Sequence, residues 1–189
     1  MASVDSTIDA RGRPTTVWTM DRPDPPFRGA ERESLLAWLD YHRATLAVKC
    51  NGLTAEQLSQ RSVPTTTMTL MGLVRHLADV ERSWFGRCIG GLAEADAPPI
   101  FYDPETNIDG DFDDTDPATV EADMAMWQAE ITRSDGFLAV TDLDDVRHHE
   151  LWGEDLDVRW VVLHMIEEYA RHNGHADLLR EAIDGATGE

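Results

Sequence analysis

The chain has 189 residues, of which 42% are hydrophobic and 28% charged, and its formal net charge is -20. This length and composition are typical of one globular domain with a sizeable core. Binding to nucleic acid or to an anionic membrane surface needs clustered Lys and Arg, so the acidity excludes both as partners.

Location and redox state follow from what the sequence lacks. No apolar run approaches the roughly 20 residues that a membrane span requires, and residues 1–26 lack the basic-then-apolar order of a signal peptide. We therefore expect a cytoplasmic protein. Cys50 and Cys88 provide neither a disulfide framework nor a Cys-x-x-Cys motif, and are expected to be small buried residues of helices.

Apolar residues recurring every three or four positions predict four long helices. In chain order, the predicted helices cover residues 31–51, 70–89, 117–140 and 158–183. Thr54 is placed to cap a short additional helix. No alternating pattern is long enough to predict a sheet. The sequence therefore predicts an all-α fold, a four-helix bundle over residues 29–187, preceded by an extended arm over residues 1–28 that is rich in Pro, Asp, Thr and Arg.

A long acidic connection separates the second and third predicted helices. Within it, residues 105–116 imitate the calcium loop of an EF-hand, with oxygen-bearing side chains at most ligand places and Gly110 at the sixth. Glu105 at the first place and Asp116 at the last depart from the pattern, and nearby prolines forbid an entering helix. We interpret this segment as an acidic, solvated loop rather than as a calcium site.

The fourth predicted helix carries the best candidates for a metal site. Glu168, His172 and His175 follow one another at four and three residues, so they share one ridge of the helix. His172 lies on the apolar stripe itself, and His76 on the second helix can face it across the bundle. Such nitrogen and oxygen ligands suit Zn²⁺, Ni²⁺ or Fe²⁺. A hydrogen-bonded cluster of buried polar residues is the alternative.

Other histidines are weaker candidates. His148 and His149, followed by Glu150, lie in a predicted connection, and adjacent residues point in different directions. They are better suited to lining a pocket mouth than to sharing one ion. His42 falls on the apolar stripe of the first helix and is expected to be a core histidine, although a role at the metal stays open.

Two segments together resemble a known family. They are residues 70–85 (LMGLVRHLADVERSWF) and residues 168–181 (EYARHNGHADLLRE). They look like the DinB superfamily of four-helix-bundle metalloenzymes. More narrowly, they resemble an actinobacterial branch long labelled a domain of unknown function and related to the mycothiol-dependent maleylpyruvate isomerases. The resemblance covers about residues 20–187.

The resemblance implies one divalent ion, for which we expect zinc or nickel, held by His76, Glu168 and His172. Many members have a second histidine at the position of Glu168, whereas the isomerase relatives have Glu. His175 would then lie behind the ligands or line the pocket. Proximity to these motifs makes Arg75, Trp160 and Arg171 candidate contacts for the substrate or cosubstrate. Relatives often pair through helix faces, which would make a homodimer.

The resemblance further implies a thiol-dependent transferase that uses mycothiol to attack a small electrophile. The acidity of the chain disfavours an anionic substrate such as maleylpyruvate, so conjugation of electrophiles is the better expectation. Two alternatives remain open on the same residues. One is a non-catalytic helical bundle that serves as a metal-binding, structural or dimerisation module. The other is a metal-dependent hydrolase.

Overall fold

The computed structural model describes residues 3–8, 14–93, 96–97, 99–150 and 152–188, the strands within residues 3–19 by their backbone alone. Four long helices dominate it. The helices are α1 (Glu31–Cys50), α2 (Ala55–Leu58), α3 (Leu70–Glu81), α4 (Gly110–Asp113), α5 (Val120–Leu138) and α6 (Val158–Asp184). A π-helical segment, Arg82–Ile89, continues α3 directly. The predicted all-α fold is confirmed.

The apolar core lies between the long helices, with α1 packed on α6 and α3 on α5. Leu46, Leu77, Met124 and Met165, one from each of these helices, are completely buried. None of the helices in the described part of the chain combines the length and the apolarity that a membrane span needs.

Local signals set the ends of the helices. The Thr54 side chain accepts a hydrogen bond from the Gln57 amide, and the Gln57 side chain accepts one from the Thr54 amide, which forms a capping box for α2. Asp157 caps α6 by accepting from the amide of Trp160 at 2.6 Å. Gly185 ends α6 with a φ of +80°, a conformation that glycine adopts without steric cost. These ends lie within three residues of the predicted ones.

The expectation that the chain has no sheet was wrong at two places. Strand β1 (Ser3–Ile8) pairs antiparallel with β2 (Pro14–Thr19), within the predicted arm. Strand β3 (Val146–His149) pairs with β4 (Glu154–Asp157) just before α6. Strands of four to six residues are too short to show a clear alternation. The second hairpin is largely polar and depends on its turn, where Gly153 has a φ of +66°.

A buried polar network joins the four long helices. The Arg43 guanidinium on α1 donates two hydrogen bonds of 2.8 Å to the Glu81 carboxylate on α3. The Tyr169 hydroxyl on α6 donates to the same carboxylate at 2.8 Å and accepts from the Trp127 indole on α5 at 2.9 Å. Because each helix contributes one member, the network fixes how the helices are rotated about their axes.

Candidate metal centre

Three side chains from α3 and α6 converge in the half of the bundle that faces the acidic loop. Each of His76, Glu168 and His172 offers one ligand atom, and these atoms all lie within 4.8 Å of one another. Glu168 Oε2 is 3.5 Å from His172 Nε2 and 3.9 Å from His76 Nε2. The structure therefore brings together the three residues that the sequence singled out.

Helix geometry explains the convergence. Glu168 and His172 are four residues apart on α6, so one lies a turn above the other on the same face. The neighbouring Tyr169 belongs to the buried polar network, which turns this face toward α3. Both carboxylate and imidazole are mostly shielded from solvent, with His172 the more buried.

Asp111 from the acidic loop completes the centre, and the sequence analysis did not identify it. Its carboxylate Oδ2 lies 2.8 Å from His76 Nδ1 and is buried. With Nδ1 engaged by Asp111, the ring directs Nε2 toward Glu168. A carboxylate that holds the far nitrogen of a histidine in this way fixes its orientation and its tautomer. The loop was predicted to be solvated, but at Asp111 it is part of the core.

The loop is held in place by α3. The Arg75 guanidinium donates to the backbone carbonyls of Phe101, Gly110 and Asp114. The Phe112 ring stacks on His76 with 4.4 Å between ring centroids. A Cβ on Gly72 of α3 would lie 2.7 Å from the Phe112 carbonyl oxygen, so only glycine permits this close approach. Arg75, which we predicted as a substrate contact, is itself largely buried by these bonds.

The electrostatics of the centre favour positive charge. Burial lowers the pKa of His76, but hydrogen bonds to Asp111 and Glu168 outweigh it and raise that pKa to about 9. Hydrogen bonds from His172 and His76 lower the pKa of Glu168 against the opposing effect of burial. Carboxylates arranged to stabilise an imidazolium would stabilise a bound cation for the same reason.

The remaining candidate residues lie around the centre or away from it. His175 Nδ1 is 3.3 Å from His172 Nδ1, on the side opposite Glu168, and burial lowers its pKa. Trp160 and Arg171 are exposed on α6, and Arg171 pairs with Glu167. His42 of α1 stacks on Trp38, and its backbone carbonyl accepts a hydrogen bond of 3.0 Å from the Asn173 side chain of α6.

The two adjacent histidines of β3 do not share an ion-binding arrangement with the centre. His148 is exposed and pairs with Asp155 at 2.8 Å. His149 is buried against Trp84, with 4.5 Å between ring centroids. Both line a cavity of about 500 Å³ with Glu150, as expected for residues at a pocket mouth.

His164 is a second residue that the sequence analysis missed. It precedes Glu168 by one turn of α6, and its Nε2 lies 3.7 Å from Glu168 Oε1, the carboxylate oxygen that does not face His172. Together with Glu167, the pair forms the other cluster of possible ligands in the described residues. The signal was present, because the four-residue spacing that links Glu168 to His172 also links it to His164.

Comparison with known proteins identifies the family of the chain. The model of the mycothiol-S-transferase family matches residues 34–185, which contain every residue of the centre. A comparison with curated proteins returned no match. The family is DinB-like, which confirms the resemblance that the two sequence segments indicated. On the strength of a match over most of its length, the chain belongs to the mycothiol S-transferase family.

Proposed function

We propose that the protein is a divalent-metal-dependent transferase that joins mycothiol to small electrophiles. The observation that carries the proposal is the convergence of His76, Glu168 and His172 in a member of this family. The donor set consists of two imidazole nitrogens and one carboxylate oxygen. It matches the histidine and carboxylate sets of catalytic zinc sites, in which one position stays open for a further ligand.

The spacing of the donors fits a small ion. Ligands placed tetrahedrally at about 2.1 Å from a zinc ion lie about 3.4 Å from one another. The measured separations from Glu168 Oε2 are 3.5 Å to His172 Nε2 and 3.9 Å to His76 Nε2. Small side-chain movements would close the difference. Zinc or nickel is the ion that we expect.

When bound, such an ion would lower the pKa of a coordinated thiol and so supply the nucleophilic thiolate at neutral pH. The other roles belong to the protein. Asp111 fixes the orientation of His76, and His175 does the same for His172 from the opposite side. Arg75 contributes through the loop that it holds. The exposed Arg171 and Trp160 are available to contact the thiol or the electrophile.

Metal analysis and turnover test the proposal together. Freshly purified protein should contain about one divalent ion per chain, and with mycothiol and monobromobimane it should form the conjugate faster than the uncatalysed rate. His172→Ala should lose both the ion and the activity. Glu121→Ala, which alters an exposed residue of α5, is the control. Normal turnover by His172→Ala would refute the proposal.

An outcome without metal would favour the non-catalytic bundle, and bound metal without conjugation of any electrophile would favour the hydrolase. The homodimer and the cytoplasmic location stay predictions.

A further inference from the structure

Five aromatic side chains form a cluster next to the candidate centre. The aromatic cluster comprises Trp84 of the π-helical segment, His149 and Trp152 of the β3–β4 hairpin, and Trp160 and His164 of α6. The Trp84 ring centroid is 4.9 Å from that of Trp152, 5.6 Å from Trp160 and 4.6 Å from His164. Trp160 stacks on His164 with an interplanar angle of 21°.

The cluster opens to solvent rather than to the core. Trp84 is buried and forms its base, whereas Trp152 is 53% and Trp160 38% exposed. Burying a large apolar side chain stabilises a protein by about 1.5–3 kcal/mol. Because Trp152 and Trp160 are only partly buried, the fold lacks part of this stabilisation at both residues. Contiguous exposed apolar surface of this kind is typical of a binding surface.

The cluster touches the centre at two places, through a contact of His164 and through a cavity that Trp84 lines. His164 Nε2 is 3.7 Å from Glu168 Oε1, and the other oxygen of that carboxylate faces His172. Trp84 lines a cavity of about 320 Å³ together with His76 and Asp111. Along α6, four residues separate Glu168 from His164 and His164 from Trp160. The three side chains therefore form one ridge of the helix, with about 6 Å along the axis between neighbours.

We propose that the aromatic cluster is the acceptor subsite and that it binds an uncharged, planar aromatic electrophile by stacking. This proposal rests on the proposed transferase function. Flat rings lie favourably against indole faces, in offset or edge-to-face arrangements. An anion is disfavoured because Glu167 and Glu168 border the cluster and the net charge of the chain is -20.

The reaction with such an acceptor balances without a further reagent. In monobromobimane, the sulfur of the thiolate donates its electron pair to the carbon that carries bromine. A sulfur–carbon bond forms, the carbon–bromine bond breaks, and bromide leaves with the bonding pair. The proton lost by the thiol goes to solvent. A reactive carbon near Glu168 would leave the ring system of the acceptor extending along the ridge toward His164 and Trp160.

Two acceptors of different shape test the subsite. Monobromobimane is neutral and planar, whereas iodoacetamide is small and has no ring. In both, the same thiolate displaces a halide ion from carbon. Trp160→Leu should lower kcat/KM for monobromobimane about tenfold, mainly through KM, and leave iodoacetamide within about twofold. Trp152→Leu should act in the same direction. Trp38→Leu is the control, since Trp38 is 45% exposed but lies on α1.

Equal losses with both acceptors, or no loss with monobromobimane, would overturn the subsite while leaving the transferase intact. Absence of turnover by the unaltered protein with every acceptor would instead count against the transferase. A bimane without bromine separates the two cases, because its binding can be measured by equilibrium dialysis without any reaction. About tenfold weaker binding to Trp160→Leu than to Trp38→Leu supports the subsite, and equal binding to the two refutes it.

Discussion

The hydrogen bond between Asp111 and His76 gives the sharpest prediction about the centre. In the described part of the chain, the Asp111 carboxylate is the only one that hydrogen-bonds to His76 Nδ1, with 2.8 Å between the two atoms. Asp111→Ala removes this contact. The imidazole would then lose its fixed orientation and the negative charge that raises its basicity. We expect the affinity for the divalent ion to fall while the helical fold persists.

The magnitude follows from the type of contact. Loss of a carboxylate that orients a metal-binding histidine weakens metal binding about 10–100-fold, or about 1.4–2.7 kcal/mol. Asp111→Asn keeps an oxygen that can accept from Nδ1 but loses the charge. The metal affinity of Asp111→Asn should therefore fall less than that of Asp111→Ala, by about 3–10-fold, because neutral hydrogen bonds are about half as strong as charged ones.

A competition titration with a chromophoric zinc chelator measures these affinities directly. Asp109→Asn is the matched control, because it removes the same charge two residues earlier, at an exposed position without a side-chain cap. The reasoning is refuted if Asp111→Ala binds the ion as tightly as Asp109→Asn does.

A second substitution displaces the same loop without touching a carboxylate. Gly72→Ala places a methyl group 2.7 Å from the Phe112 carbonyl oxygen, so α4 must move away from α3. Metal affinity should fall in the same direction as in Asp111→Ala. Unchanged affinity would show that the position of the loop is not what orients His76.

Three further outcomes follow from buried groups. Glu81→Gln removes the buried carboxylate that pairs with Arg43 and leaves this guanidinium the exposed carboxylates of Asp40 and Asp135, which should cost about 3–5 kcal/mol in urea unfolding. Asp40→Asn alters one of these exposed partners and should cost less than about 1 kcal/mol. Similar costs for the two would contradict the network. Burial raises the pKa of Cys50 to about 12, so this thiol should react with Ellman's reagent at pH 8 only after unfolding. EDTA should lower the Tm of the metal-loaded protein but not that of His172→Ala, because an ion that binds only the native state stabilises it by mass action.

The helices and the candidate ligands of α6 could be predicted from the sequence because both depend on local geometry. The 3.6-residue repeat alone places Glu168 and His172 on one face, and the capping residue Thr54 marks the start of α2. His164 obeys the same repeat and could have been found. The hairpin of β3 and β4 could not, because its strands have four residues each and are mostly polar.

Asp111 was beyond sequence reasoning for a different reason. It is one of many acidic residues in its loop, and nothing in local spacing distinguishes the one that turns inward. Its place is set by long-range contacts, namely the bonds from Arg75 to the loop carbonyls and the approach of Phe112 to Gly72. Those contacts join segments about 35 residues apart, which no helical or strand repeat can relate.

The buried polar network determines which face of α6 points toward α3 and so contributes to the candidate metal centre. A repeat determines which residues share a face of α6, but it does not determine where that face points. Tyr169 settles this, because its hydroxyl is tied to Glu81, and Glu81 to Arg43, in the interior of the bundle. With Tyr169 directed inward, the adjacent Glu168 is directed toward α3 and His76. The polar network and the candidate metal centre are therefore consequences of one rotation of α6.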